Sequence, residues 1–205
     1  MHQPRKNLLV FKFFSWYLDH IIKKDFSGYS FNQLPIKEDQ AVLLLANHFS
    51  WWDGFLMFHL NKKVIRKEFH VLVTDEDYKR HWFLKYMGAF AAEKKGKDVL
   101  ETLIHAGELL DDPNNLVLIF PQGKLFAAYV STIGFEKGVM QVINASKKKF
   151  QVIFAATLVD YSKRKPGLQT YLQSWDAEEY VSLQLLKSEY NKHYDHCVKN
   201  QNTLA

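Results

Sequence analysis

The chain has 205 residues, 47% of them hydrophobic and 15% aromatic, which allows one well-filled core and excludes a disordered or fibrous protein. A net charge of +5 suits an anionic partner such as a phosphate-bearing substrate, an anionic lipid or a nucleic acid. The single cysteine, Cys197, excludes an internal disulfide and fits a reducing compartment.

Near the N-terminus, LLVFKFFSWYLDHII is apolar but interrupted by Lys12, Asp19 and His20, so it does not read as a membrane span. Wound as a helix over 6–24, it is apolar on most sides, with Arg5, Lys6, Lys12, Lys23 and Lys24 around its rim. That pattern suits a helix lying in a membrane interface, and equally a core helix capped by charges. Residues 25–40 read as a connecting loop. AVLLLA (41–46) is a continuous apolar run, the mark of a buried strand. Ser50 and Asp53 have capping-box spacing and open a helix through GFLMFHL.

HVLVT (70–74) predicts a second strand, residues 77–87 a helix broken by Gly88, and 88–94 a short extended segment. Asp98 is placed to cap a helix through VLETLIHAGELL, which DDPNN stops. LVLIF (116–120) reads as a buried strand cut by Pro121, and FEKGVMQVINASKKK (135–149) as a helix. FQVIFAATLVDY (150–161) and LQTYLQS (168–174) are further strands. Asp176 and Glu179 repeat the capping spacing before a helical stripe of Leu183, Leu186, Tyr190 and Tyr194. Strands alternating with helices imply an α/β fold: a single-domain layered mixed sheet flanked by helices. Residues 1–24 form the amphipathic N-terminal helix and 25–205 the domain.

Two stretches have the residue types for chemistry. In NHFSWWDGF (47–55), His48 lies just past a buried strand, where α/β sheets expose their functional loops. An acid at one imidazole nitrogen fixes the tautomer and raises the basicity of the other. Within a continuous helix, positions i and i+5 sit about 140° apart and would not meet. With Ser50 as the helix cap, His48 stays outside the helix and can fold back toward Asp53. The bland alternative is a capped helix start containing a loop histidine, with Trp51 or Trp52 packing its first turn. The second stretch, LVLIFPQGKLF (116–126), is a strand ending in a turn whose glycine lets backbone amides approach an anion or oxyanion.

Together these stretches resemble the glycerol-phosphate and lysophosphatidic acid acyltransferase superfamily. Asn47, His48, Ser50 and Asp53 match its NHxSxxD block, and Phe120, Pro121 and Gly123 its FPEG block. LKYMGAFAAEK and GFEKG resemble further segments, so the likeness runs from about residue 40 to 160 in order. The resemblance implies an acyltransferase moving a fatty-acyl group from an acyl-CoA or acyl-carrier-protein thioester to a lipid hydroxyl. His48 would be the general base and Asp53 its orienting partner. Asn47, Ser50, Lys94, Phe120, Pro121, Gln122, Gly123 and Lys124 would surround the substrates. No cofactor and no metal are expected. The setting implied is cytoplasmic, peripheral on the cytoplasmic face of a membrane.

Several positions depart from the family pattern. Gln122, Lys124 and Leu125 stand where glutamate, threonine and arginine are usual, and Lys94 replaces another arginine. Leucine cannot bind phosphate bidentately as a guanidinium does. The expected acceptor is therefore lysophospholipid-like or a lipid alcohol without phosphate. Two alternatives keep the same fold: an acyl thioesterase, and a non-catalytic lipid or acyl-chain binder.

Other classes have weaker support. His193, His196 and Cys197 have helical spacing that can present metal ligands, but beside Lys192 and Lys199 they read as a solvated face. Lys147–Lys149 and Lys163–Lys165 are basic runs without any nucleic-acid module around them, so no nucleic acid is expected as partner.

Overall fold

The computed structural model describes residues 1–93, 96–176 and 181–202. Its strands are β1 (Gly28–Phe31), β2 (Ala41–Ala46), β3 (Glu68–Leu72), β4 (Ala89–Phe90), β5 (Asn115–Ile119), β6 (Phe150–Asp160) and β7 (Gly167–Trp175). Its α-helices are α1 (Leu8–Asp25), α2 (Asp53–Leu60), α3 (Asp75–Arg80), α4 (Lys97–Leu109), α5 (Gly138–Ala145) and α6 (Leu183–Asn202). The strands form one sheet in the order β1-β7-β6-β2-β5-β3-β4. Strands β6, β2, β5, β3 and β4 run parallel, and β7 turns back antiparallel to β6 with β1 alongside it. This is the mixed, layered α/β sheet that the alternation of elements implies.

Central β2 shows why its sequence has no polar side. Val42, Leu44 and Ala46 face one apolar cluster with Leu18 and Ile22 of α1 and Leu56 and Leu60 of α2. Ala41, Leu43 and Leu45 face the other, with Ala106 of α4, Val142 of α5 and Leu186 and Tyr190 of α6. A parallel strand covered by helices on both faces must be apolar at every position.

Several elements differ from the sequence reading. Strand β1 lies within the stretch read as loop. In GYSF only Tyr29 and Phe31 alternate with small residues, a signal too short to read alone, and pairing with β7 at the sheet edge makes it a strand. The helix expected over 77–87 divides into α3, capped by the Thr74 side chain, and a 3-10 turn at Leu84–Tyr86. Gly88 follows it at φ 87°, where a Cβ would lie 1.8 Å from the Phe69 carbonyl oxygen. The helix expected over 135–149 forms only at Gly138–Ala145. Gly96, not Asp98, occupies the cap of α4, and Asp98 sits in the first turn, where an acid favours the helix dipole. The capping pair Asp176 and Glu179 lies partly outside the described residues.

The metal-like triplet on α6 corrects another expectation. His193 and Cys197 point into the core and only His196 faces outward. The His193 ring donates to the Tyr171 carbonyl at 3.0 Å, and burial pushes the Cys197 thiol up to about 12. Among the described residues, no three metal-ligating side chains converge.

Both readings of the N-terminal helix find a face. Ser15, Leu18 and Ile22 of α1 are buried, and Asp19 is turned inward to His59 (2.7 Å) and Lys62 (2.9 Å). Leu9, Phe13 and Trp16 on the other side are exposed. Among the described residues, no helix is long and apolar enough to cross a membrane.

Candidate active site

The site forms where β2 and β5, hydrogen-bonded neighbours, end side by side at their carboxyl termini. The chain leaving β2 carries Asn47 and His48, and the chain leaving β5 carries Phe120 to Lys124. Such a crevice, beyond the carboxyl ends of parallel strands, is where open α/β sheets place ligands.

His48 is fixed from four directions. Its Nδ1 lies 2.9 Å from Oδ2 of Asp53, and its ring stacks on Phe120 with centroids 4.1 Å apart. Its backbone N–H donates to Oε1 of Gln122 at 2.6 Å, and its carbonyl accepts from the Phe126 N–H at 3.0 Å. With the carboxylate accepting at Nδ1, that nitrogen bears the proton and Nε2 keeps its lone pair.

Asp53 is the first residue of α2 and is 2% exposed. Its Oδ2 also accepts the backbone N–H groups of Phe49 (2.7 Å) and Ser50 (2.8 Å). Trp52, not Ser50, occupies the cap of α2, so Ser50 does not cap the helix as the spacing implied, although Asp53 does reach back to the Ser50 N–H. The Ser50 hydroxyl takes the Trp52 N–H at 3.2 Å instead of that of Asp53. Free N–H groups at a helix start and the positive end of its dipole suit a buried carboxylate. The same bonds pull the 47–53 loop into the turn that lets His48 and Asp53 meet.

Beneath the pair lies a polar chain buried in an apolar core. Asn47 bonds both the N–H (2.8 Å) and the carbonyl (2.9 Å) of Thr157 in β6. The Thr157 hydroxyl meets that of Thr170 at 2.8 Å, and Thr170 meets the Tyr29 hydroxyl at 3.0 Å. Burial first, and the nearby Asp53 carboxylate in addition, push the Tyr29 hydroxyl far above its ordinary value. Tyr29 therefore stays neutral and serves as scaffold.

A cavity of about 910 Å³ opens beside His48. Gly123, Lys124 and Leu125 line it near the histidine, and Phe58, Phe69 and Met87 line its apolar depth. Asp75 and Asp77 at the start of α3 form an acidic part of the wall. Gly123 has φ 68°, a left-handed turn conformation suited to glycine, and its N–H closes the turn on the Phe120 carbonyl at 3.1 Å. The amide next along, that of Lys124, has no protein partner among the described residues.

The residues singled out from sequence therefore divide. His48, Phe120, Gly123 and Lys124 line the cavity. Asn47, Asp53 and Gln122 are buried behind it, Pro121 is buried under the turn, and Ser50 shapes the loop. Lys94 lies outside the described residues. Trp51 lines the cavity while half exposed, whereas Trp52 packs against Phe26 and Phe55. Thr157, Thr170 and Tyr29 escaped sequence reasoning. An isolated threonine inside a strand gives no signal until its neighbour across the sheet is known.

No curated protein matches the chain. Residues 31–157, more than half of the chain, match the family described as Acyltransferase and span the whole constellation from Asn47 to Thr157. The chain belongs to the acyltransferase family of the glycerol-phosphate and lysophosphatidic acid superfamily, whose members act on an acyl donor and a lipid acceptor.

Proposed function

We propose that the protein transfers a fatty-acyl group from an acyl-CoA or acyl-carrier-protein thioester to a hydroxyl of a membrane lipid, with His48 as general base. The observation that carries this reading is the 2.9 Å contact of His48 Nδ1 with Asp53, at the mouth of an apolar cavity. Nε2 takes the acceptor's hydroxyl proton as its oxygen attacks the thioester carbonyl carbon. Asp53 stabilises the imidazolium that forms. The free amide of Lys124, rather than that of Gly123, is available to hold the tetrahedral oxyanion. Collapse forms the ester, breaks the carbon–sulfur bond and returns the proton to the leaving thiolate. No covalent acyl-enzyme is required, and the buried, high-pKa Cys197 is unsuited to forming one.

The acceptor is a lipid alcohol without phosphate. Leu125 lines the cavity where the family pattern has a phosphate-reading arginine, and a leucine side chain offers a phosphate no donor. The protein works at the cytoplasmic face of a membrane, where such an acceptor is dissolved.

Thiol release from the donor, with a lipid extract added or withheld, tests the reading. His48→Ala should lower the rate on the order of 10²–10⁴-fold. Release that depends on lipid supports transfer, whereas His48-dependent release without lipid would assign a thioesterase. Absence of release with both donor types would leave a non-catalytic binder. Strict dependence on acceptor phosphate would overturn the choice of acceptor.

A further inference from the structure

We infer that the protein docks on anionic bilayers through two elements far apart in sequence, the outward face of α1 and the β6–β7 hairpin. This rests on the proposal that the substrates are membrane lipids, and it names the surface and the lipid charge.

The outward face of α1 is opposite its buried one. With Ser15, Leu18 and Ile22 inward, Leu9, Phe13, Trp16 and Tyr17 project into solvent along the first part of the helix. Phe13 contacts Trp16 and Tyr17, so the rings form one patch rather than scattered residues. His20, Lys23 and Lys24 continue the exposed face toward the C-terminal end.

The sheet supplies the second element. Strand β1 follows α1 directly and pairs with β7 in a register that sets Gly28 beside Gly167. The Ser27 N–H donates to the Pro166 carbonyl at 2.9 Å, and Lys165 Nζ donates to the Lys24 carbonyl. The exposed hairpin tip, with Tyr161, Lys163 and Arg164, is thereby held against the basic end of α1. Five basic residues gather there: Lys23 and Lys24 from the last turn of the helix, and Lys163, Arg164 and Lys165 from the hairpin. Of the three acids in these segments, Asp19 is turned inward, which leaves Asp25 and Asp160 exposed beside the basic residues.

Aromatic residues that sit at a bilayer interface beside a basic cluster match anionic headgroups over acyl chains. Position agrees with chemistry. Strand β6 runs parallel to β2 and continues five residues past Ala155, the partner of Ala46, so the hairpin projects from the sheet edge that carries His48. Phe14 of α1 stacks on Phe83, which meets Phe55 beside cavity-lining Trp51. The docking face and the cavity mouth are joined by one aromatic wall.

Flotation of the full chain with phosphatidylcholine vesicles, with and without phosphatidylglycerol, tests this. Wild type should bind the anionic vesicles much more tightly than the neutral ones. Lys163→Ala with Arg164→Ala should weaken anionic binding about fivefold per charge, about 30-fold for the pair. Phe13→Ser with Trp16→Ser should weaken it on both vesicle types. All these variants should keep wild-type thiol release on dispersed short-chain substrates, and His48→Ala should float like wild type without releasing thiol. Equal binding to neutral and anionic vesicles, or an unaffected hairpin variant, would overturn the proposal. A dimer in solution that Trp16→Ser dissociates, with no flotation, would assign the face to a second copy and overturn it too. Flotation as expected with no thiol release from wild type would retain the docking surface and remove the acyl-transfer reading instead.

Discussion

Oδ2 of Asp53 accepts from His48 Nδ1 at 2.9 Å while also accepting the amides of Phe49 and Ser50. One buried oxygen thus orients the base and holds the loop that presents it. These roles separate on substitution. His48→Ala should remove activity and leave the melting temperature near wild type, because that ring is partly exposed. Asp53→Ala should remove activity and also destabilise the protein by about 1–3 kcal/mol, since two N–H groups in the loop lose their acceptor. Thermal melts of the two variants beside thiol-release rates decide the matter; equal melts would show that the loop holds itself.

Gln122 joins the two loops of the site through its 2.6 Å bond from the His48 N–H. Gln122→Ala leaves that donor without a partner and frees the 47–53 loop, so kcat should fall roughly tenfold or more as the base shifts. Gln122→Glu keeps an oxygen acceptor and should stay within severalfold of wild type. Steady-state kinetics on both variants checks this. A Gln122→Ala enzyme with unchanged kcat would show that the backbone bond from Phe126 suffices.

Gly54 lines the cavity from the first turn of α2, and a Cβ added there meets nothing within 4 Å. Gly54→Ala should therefore raise stability by about 0.5–1 kcal/mol through helix propensity alone. Gly54→Leu should fill part of the cavity and shift donor preference toward shorter acyl chains. Competition among thioesters of graded length, with products resolved by mass, measures the shift; an unchanged profile would place the acyl chain elsewhere.

Burial holds His70, His105 and His193 below the ordinary histidine value of 6.5. In each the folded state favours the neutral ring, and the unfolded chain takes up the proton first as pH falls. Their stabilising effect is complete above about pH 6.5 and is lost as pH falls below it through the depressed folded values. Asp19, lowered by Lys62 and His59 against the opposing effect of burial, adds a second loss at pH values below its ordinary 3.8. Melting temperature should be level near neutrality and decline from about pH 6.5 downward. His193→Gln should flatten that decline, and an unaltered slope would exclude His193 as a contributor.

Much of the molecule was legible along the chain because its signals are local. AVLLLA coincides with β2 to the residue, since six consecutive apolar side chains suit only a strand covered on both faces. The pairing of His48 with Asp53 was legible because an acid at a helix start can reach back over the preceding loop, although Trp52 and not Ser50 holds the cap. The FPQG turn followed from proline and glycine after an apolar run. Where local signals were weak, tertiary pairing decided. GYSF became strand β1 only because β7 offered it an edge, and the helix expected over 77–87 broke where aromatic rings had to reach the cavity wall and α1. Residue type could not distinguish Gln122 as substrate contact from Gln122 as loop tie, nor the solvent face of α6 from its buried His193 and Cys197.

The sequence by itself determined which residues can do chemistry and which segments must be buried, because charge, capping and hydrophobic periodicity act over a few positions. Only the tertiary structure decided which distant groups share a surface. The Asn47–Thr157 bonds, the acidic wall from α3 and the approach of Lys163–Lys165 to the end of α1 depend on strand order and register. Those are set by how two apolar layers close over one sheet, an interaction summed over the whole chain.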